Sequence, residues 1–512
     1  MTRNYLDILA ETIRNNWDQP ALTDFYLTED GTAQDTSRGN HYTYGEMYAE
    51  IVRVADLLTR LGLQKGDHVA ICGANSSHWV IAYLAIAKMQ GVSVTVMHSL
   101  QPEQIAQMVD FSDAKALFVD PDLWEELKEQ SLPQIQSVIS FESWQILRGE
   151  KVEIPNRKSL INNRECGFLC SEPDDLAMIC FTSGSSGKPK GVMHTNRSIA
   201  GGISGSISTL PNEKKKNYLS ILPLAHIFGL IGDIDHLLNA HHIIHTLISS
   251  PKDVFRALVI TSPYVFVSVP QVLEKLYSLR PDFLTLFRQI GIEGITNGGS
   301  RLNHDMEKII LNNHFPLVSL YGTTEGMIFS GSKGNDYRSG SCGQIVECMT
   351  CRIAPNGEIL VKGENVMLGY YKDPEATAAK IDKDGWLHTG DKGYLDEDGY
   401  LYVEGRLEQD IIVLPNGENI RPDNIESLIN ALPEVSESIV VARDGKLVAI
   451  VVPDKKIINL KSEIINIGEL RRNILRAINP QLPLFSQLYD VEITDQPLQR
   501  TEKQTIKRYL YK

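Results

Sequence analysis

The chain has 512 residues, 42% of them hydrophobic and 22% charged, which is room for about three folding units and excludes a disordered, collagen-like or coiled-coil protein. Fifty Lys and Arg against sixty-four Asp and Glu leave a net charge of −14, which opposes binding to phosphate strands and anionic membranes and argues against a nucleic-acid partner. An anionic small molecule is not excluded, because a few local cations and backbone N–H groups can build a phosphate site inside a negative protein.

In chain order, the opening stretch MTRNYLDILAETIRNNW mixes charges and amides with short apolar steps and lacks the apolar core of a secretory signal. From residue 42 to 120 two patterns alternate: a periodic helix over 44–61, an apolar run at 68–72, a helix over 78–89, a β-branched run at 93–96, a helix from Pro102, and a strand at 116–119. Strands separated by helices imply βαβ units and a mostly parallel sheet. The alternation resumes with strands at 176–181, 218–222, 265–269 and 317–321. After Gly340 the segments APNGEILVKG, DKDGW and LDEDGYLYVEGR read as Gly- and Asp-rich hairpins. From Gly405 a separate pattern begins, with strands at 438–441 and 447–452 and a helix over 467–477. The expected fold is therefore α/β: a large N-terminal body of several subdomains with mostly parallel sheets over 1–404, and a small α+β C-terminal domain over 405–512.

No apolar run approaches the ~20 residues of a membrane span. The seven cysteines (Cys72, Cys166, Cys170, Cys180, Cys342, Cys348 and Cys351) are thinly spread, which fits a reducing, cytoplasmic setting better than a disulfide framework. Neither close cysteine pair has the chain context of a zinc site. His236, His241, His242 and His245 include an i, i+4 spacing that could chelate a metal from one helix face, but no carboxylate motif accompanies them and packing is the preferred reading.

Residues 178–196 read MICFTSGSSGKPKGVMHTN: an apolar strand, six small or hydroxyl residues, then two lysines around a proline. Small residues let backbone N–H groups approach an anion, hydroxyls add donors and lysines add charge, so the chemistry is that of phosphate binding. The spacing is not that of GxxxxGK[ST], because two residues separate Gly184 from Gly187 and Pro189 follows Lys188. Further segments follow in order: LPLAHIFG (222–229), NGGSRL (297–302), YGTTEG (321–326), GWLHTGD (385–391), EGRLEQDIIVLPNGENIRPDNIE (404–426) and QRTEKQTIKR (499–508).

Taken together these segments resemble, over nearly the whole chain, the adenylate-forming superfamily of acyl-CoA synthetases, adenylation domains and luciferases, with the bacterial long-chain acyl-CoA synthetases nearest. The resemblance implies a reaction that joins a carboxylic acid to ATP, releases pyrophosphate and passes the acyl group to CoA, with ATP, Mg2+ and CoA required. It implies that Thr182, Ser183, Ser185, Gly187 and Lys190 grip the β- and γ-phosphates. Gly298, Gly299, Gly322 and Thr323 would line the nucleotide, Tyr321 would stack on adenine, Thr324 would bond the α-phosphate and Glu325 would hold Mg2+. Asp391 and Arg406 would bind the ribose, and His226 would sit beside the acyl cavity.

The family's late lysine is less direct. Laid on the spelling RTxxGKIxR, this chain has Thr505 where the lysine belongs; the variant TxKGTxxR places it at Lys503, with Lys507 as the alternative. The resemblance also implies a C-terminal domain that rotates between half-reactions, with Glu408 at the hinge and Gly417 lining the thiol tunnel. The stretch LAHIFGLIG is apolar until Asp233, which favours an uncharged acyl tail, fatty or otherwise hydrophobic. The alternatives are a ligase that loads a separate acyl carrier protein, an aryl- or amino-acid adenylating enzyme, and a catalytically weak ATP-binding relative.

Overall fold

The computed structural model describes the chain except residues 1–3, 28–38, 154–165, 169–171, 183–188, 208–215, 247–250, 333–335, 408–411, 414–418, 421, 444, 455–466, 484–485, 501–505, 507 and 512. It divides into two compact units, Met1–Thr389 with Gly393–Val403, and Gly390–Lys392 with Glu404–Lys512.

The larger unit is built on an eight-stranded sheet. Five central strands run parallel in the order Leu176–Thr182, Val92–Thr95, His68–Cys72, Ala116–Val119 and Ser137–Ser140. Continuous apolar runs such as those at 68–72 and 116–119 suit strands covered on both faces. The helix Ser77–Lys88 is apolar nearly all round and buried accordingly; Ser76 caps its start by accepting from the Trp79 amide at 3.2 Å. The preceding helix Tyr44–Arg60 begins with a reciprocal cap between Thr43 and Glu46. A second sheet has three parallel strands, Val265–Ser268, Gly294–Asn297 and Leu317–Thr323, extended by the antiparallel Met327–Gly331. A third aligns Asn217–Ser220, His242–Thr246 and Pro20–Phe25 in parallel.

That third sheet removes the helical premise of the metal alternative for these histidines. His241 and His245 are not on a helix face, because the β-branched pair Ile243 and Ile244 carries the segment His242–Thr246 as a strand. His245 is buried, with Nε2 2.7 Å from Asp233 Oδ2 and Nδ1 3.9 Å from Asp24 Oδ1. Among the described residues no group of three metal-ligating side chains is found, and no helix is long and apolar enough to cross a membrane.

The smaller unit pairs Val435–Arg443 with Lys446–Pro453 antiparallel and adds Asp490–Ile493 in parallel. Helices Pro422–Asn430 and Ile467–Ile478 supply Ile425, Ile429, Leu470 and Ile474 to its core, against Val440, Ala449 and Val451.

Candidate active site

Parallel strands place their carboxyl ends on one edge, where crevices form. Thr182 ends one such strand, Asn297 and Thr323 end two strands of the second sheet, and the segment from Leu222 to His226 follows Ser220 at the end of a strand of the third. The chemistry-bearing segments thus start where strand ends release the chain.

The strands that flank the Ser- and Gly-rich loop pair with each other antiparallel. Strand Leu176–Thr182 turns back into Lys190–Thr195, with Thr182 opposite Lys190 at the base of the loop. Ser183, Ser185 and Gly187 lie outside the described residues. Lys190 is half-buried, and its Nζ stands 4.8 Å from the ring centre of Tyr370, a cation–π distance.

YGTTEG forms the tight link between Leu317–Thr323 and Met327–Gly331. Gly322 is obligatory there, since a Cβ would fall 1.6 Å from the Met327 carbonyl oxygen. Tyr321 is half-buried and packs edge-on to Phe329, with ring centres 5.4 Å apart. Thr324 is buried, and its carbonyl lies 2.8 Å from His194 Nε2. Burial pushes His194 down to about 4, against the opposing pull of the Thr324 carbonyl and Glu325, so the ring is neutral at physiological pH. Its Nε2–H therefore donates to Thr324, while Nδ1 faces the Ser198 hydroxyl at 3.2 Å. The Glu325 carboxylate accepts a hydrogen bond from the Tyr370 hydroxyl at 2.9 Å, and its backbone carbonyl accepts from the Met367 amide at 2.8 Å.

His226 caps the helix Ile227–Leu238, accepting from the Phe228 amide through Nδ1 at 3.2 Å. The segment before it is tied to the central sheet, where Asn75 bonds both the Leu222 carbonyl and the Leu224 amide, and Thr95 Oγ1 donates to the Ala225 carbonyl. Phe228 then lies over Gly298, where a Cβ would fall 2.6 Å from the ring. Gly299 has φ +78° and is exposed. In the smaller unit Asp391 and Arg406 pair with each other, Nε to Oδ1 at 3.0 Å, with the carboxylate nearly buried and the guanidinium half-exposed. Gly417, Glu408, Lys503 and Lys507 lie outside the described residues.

Two side chains carry more of the site than their sequence context suggests. His194 sits inside the quoted loop motif, yet its contact with Thr324 spans 130 residues. Tyr370, in GYYKDPEAT, shows no chemical pattern at all; only the pairing of Gly369–Tyr370 with Val192 and Met193 brings it to Lys190 and Glu325.

The residues present suit a magnesium–polyphosphate. A carboxylate (Glu325), hydroxyls (Thr182, Thr323, Thr324) and an ammonium (Lys190) are the donors a hard cation and phosphate oxygens take. Thr323 Oγ1 is buried without a hydrogen-bond partner among the described residues, as are Ser93 Oγ and Thr296 Oγ1, and so is available to a bound group.

The profile of the AMP-binding enzyme family matches residues 9–371, and that of the AMP-binding enzyme C-terminal domain matches 409–511. A Rhodococcus jostii (strain RHA1) ligase, named for joining CoA to a methyl-dioxo-octahydro-indenyl propanoyl group, is 28% identical over 428 residues, covering 78% of this chain and 80% of its own. A long-chain-fatty-acid–CoA ligase of Rattus norvegicus is 26% identical over 524 residues, covering 86% and 76%. Among solved structures, the O-succinylbenzoate coenzyme A synthetase of Bacillus subtilis in complex with ATP and magnesium ion superposes with a TM-score of 0.77 at 24% identity, covering 99% of this chain and 98% of that one. With the family profile running through the hairpin, the strand ends and Tyr370 alike, the chain belongs to the AMP-binding enzymes.

Proposed function

We propose that the chain is an AMP-forming acid–thiol ligase that activates a hydrophobic carboxylic acid and transfers it to CoA. What supports this reading above all is the joining of Lys190, Tyr370, Glu325, Thr324 and His194 into one connected group. It unites the phosphate hairpin with the carboxylate most suited to a cation.

In the first half-reaction a substrate carboxylate oxygen attacks the α-phosphorus of ATP, the bond to the β-phosphate breaks, and pyrophosphate leaves. Both reactants are anionic, so the barrier falls when fixed cations and donors are aimed at the phosphates. Lys190 and Thr182 would hold the outer phosphates, and Thr323 and Thr324 the inner one, with the Thr324 backbone fixed by His194. A Mg2+ held by Glu325 would neutralise phosphate charge as it moves to the leaving group. Asp391, oriented by Arg406, would accept from the ribose hydroxyls, and Tyr321 would cover the adenine. Lys503 would bridge carboxylate and α-phosphate. In the second half-reaction the CoA sulfur attacks the acyl carbon, AMP leaves, and Gly417 would line the thiol's approach.

The apolar segment 222–229 and the Phe228 ring against Gly298 favour an uncharged acyl tail. The named relatives act on a fused-ring propanoate, a long-chain fatty acid and O-succinylbenzoate, which share a carboxylate and little else. The thin spread of the seven cysteines along the chain fits a cytoplasmic setting. A panel of acids tested in ATP–pyrophosphate exchange, then with CoA or a carrier protein as acceptor, checks the reading. Acid-dependent exchange, lost in Lys503→Ala, and a CoA thioester are expected. Exchange untouched by Lys503→Ala would move the role to Lys507, and no exchange with any acid would refute the ligase reading.

A further inference from the structure

Resting on the ligase reading, and deepening it, we propose that Tyr370 is a positioning residue that sets the carboxylate of Glu325 for the divalent cation while keeping the Lys190 ammonium directed at phosphate.

The backbone around Tyr370 is held on every side. Gly369 has φ +149°, and a Cβ there would fall 2.7 Å from Thr377. The Tyr370 amide donates to Thr377 Oγ1 at 2.8 Å, and the Tyr371 amide donates to the Gly191 carbonyl at 2.7 Å. Beyond it, Lys372 bonds Asp113 at 2.8 Å, as does the Tyr371 hydroxyl at 2.7 Å. The Tyr370 side chain is 5% exposed. A residue pinned in this way delivers its hydroxyl and ring with little freedom, which is what orientation of a neighbour requires.

Two contacts then matter. The hydroxyl donates to Glu325 Oε1 at 2.9 Å, which restricts rotation of the carboxylate about its stem. The ring carries Lys190 Nζ at 4.8 Å. A neutral aromatic can hold a cation at its face and an anion at its O–H together, giving each charge a partner that does not cancel it. The same side chain thereby serves two opposite charges with different parts of itself. Groups that orient a metal ligand commonly alter metal affinity or activity by roughly ten- to a hundredfold when removed.

The test uses the full chain with Mn2+ as a paramagnetic probe and a non-hydrolysable ATP analogue, with bound Mn2+ read by electron paramagnetic resonance. Cation-free affinity for the analogue is measured in chelator. Tyr370→Phe keeps the ring and loses the hydroxyl. Its Mn2+ affinity should fall roughly tenfold or more, with cation-free analogue affinity within about twofold of wild type. Thr377→Val takes one backbone pin from the same strand and leaves the phenol in place, so its Mn2+ affinity should fall clearly less than that of Tyr370→Phe. Unchanged Mn2+ binding in Tyr370→Phe overturns the proposal. So does an equal loss in Thr377→Val, or a parallel loss of cation-free binding in Tyr370→Phe, since each marks a merely structural bond. Wild-type protein that binds the analogue but takes up no Mn2+ beside it removes the proposal and leaves nucleotide binding standing, whereas no analogue binding at all refutes the ligase reading itself.

Discussion

Acid should weaken the larger unit through His194, and the size of the effect follows from its burial. The ring is held at about 4 in the fold, against 6.5 for an ordinary histidine. Between those values the unfolded chain takes up a proton that the folded site refuses, so this contribution to stability is complete above pH 6.5 and is lost as pH falls toward 4. From pH 7 to pH 5 the loss is about 1.4 kcal/mol per pH unit over about 1.5 units, roughly 2 kcal/mol. His194→Gln removes the titrating ring and keeps a donor for the Thr324 carbonyl. The variant starts less stable, but its stability should fall about 2 kcal/mol less than that of wild type across the same interval. Urea unfolding followed by tryptophan fluorescence is the suitable assay, because Trp17, Trp79, Trp124, Trp144 and Trp386 all lie in the larger unit. Comparing the two pH dependences cancels every other titrating group. Parallel curves for wild type and variant, within about 0.5 kcal/mol, would refute the reasoning.

Asp235 should act with the opposite sign. Burial raises it to about 7, against the hydrogen bonds from Ser206 and Asn239, so it gives stability that grows as pH falls from 7; Asp235→Asn should steepen the acid loss between pH 7 and 5 by about 2 kcal/mol in the same urea assay. Thr323→Val should leave the melting temperature of the ligand-free protein unchanged or higher, because a buried hydroxyl without a partner costs about 1–3 kcal/mol, while calorimetry shows ATP binding weakened about tenfold. Gly298→Ala drives a methyl to 2.6 Å from Phe228 and should cost about 1–3 kcal/mol of stability. Adding Phe228→Leu should restore most of that loss in thermal melts; a failure to restore it would place the strain elsewhere.

The elements that sequence reading located well are those whose signal is local. The helix expected over 44–61 is Tyr44–Arg60, and the strands expected at 68–72 and 116–119 are His68–Cys72 and Ala116–Val119. Each is an apolar run or a helical period bounded by turn residues. The strand Val435–Arg443 begins earlier than the expected 438, because the polar residues of its opening VSES hide it from an apolar count. The i, i+4 spacing of His241 and His245, for which packing is the preferred reading, carries no metal meaning because the segment His242–Thr246 is a strand and not a helix. Within the site, the loop motif was legible because six small and hydroxyl residues beside two lysines are unusual inside an α/β core. Tyr370 was not legible. An aromatic beside a glycine is common, and its role arises from strand pairing and from a hydroxyl contact 45 residues back in the chain.

The contact between His194 and Thr324, 130 residues apart, also sets an order of events during synthesis. The phosphate hairpin is closed by its own neighbours in sequence and can form as soon as both its strands have emerged, whereas loop closure over long separations is slow. A nascent chain released before YGTTEG therefore carries a phosphate loop whose supporting histidine has no carbonyl to hold. On the proposed site, nucleotide would not help such a fragment fold and would do so only after the second sheet and the Gly369–Tyr370 strand have joined the first. If nucleotide binds where proposed, it would stabilise this protein only late in folding, and truncated forms ending before Tyr370 should depend on chaperones in a way that added nucleotide does not relieve.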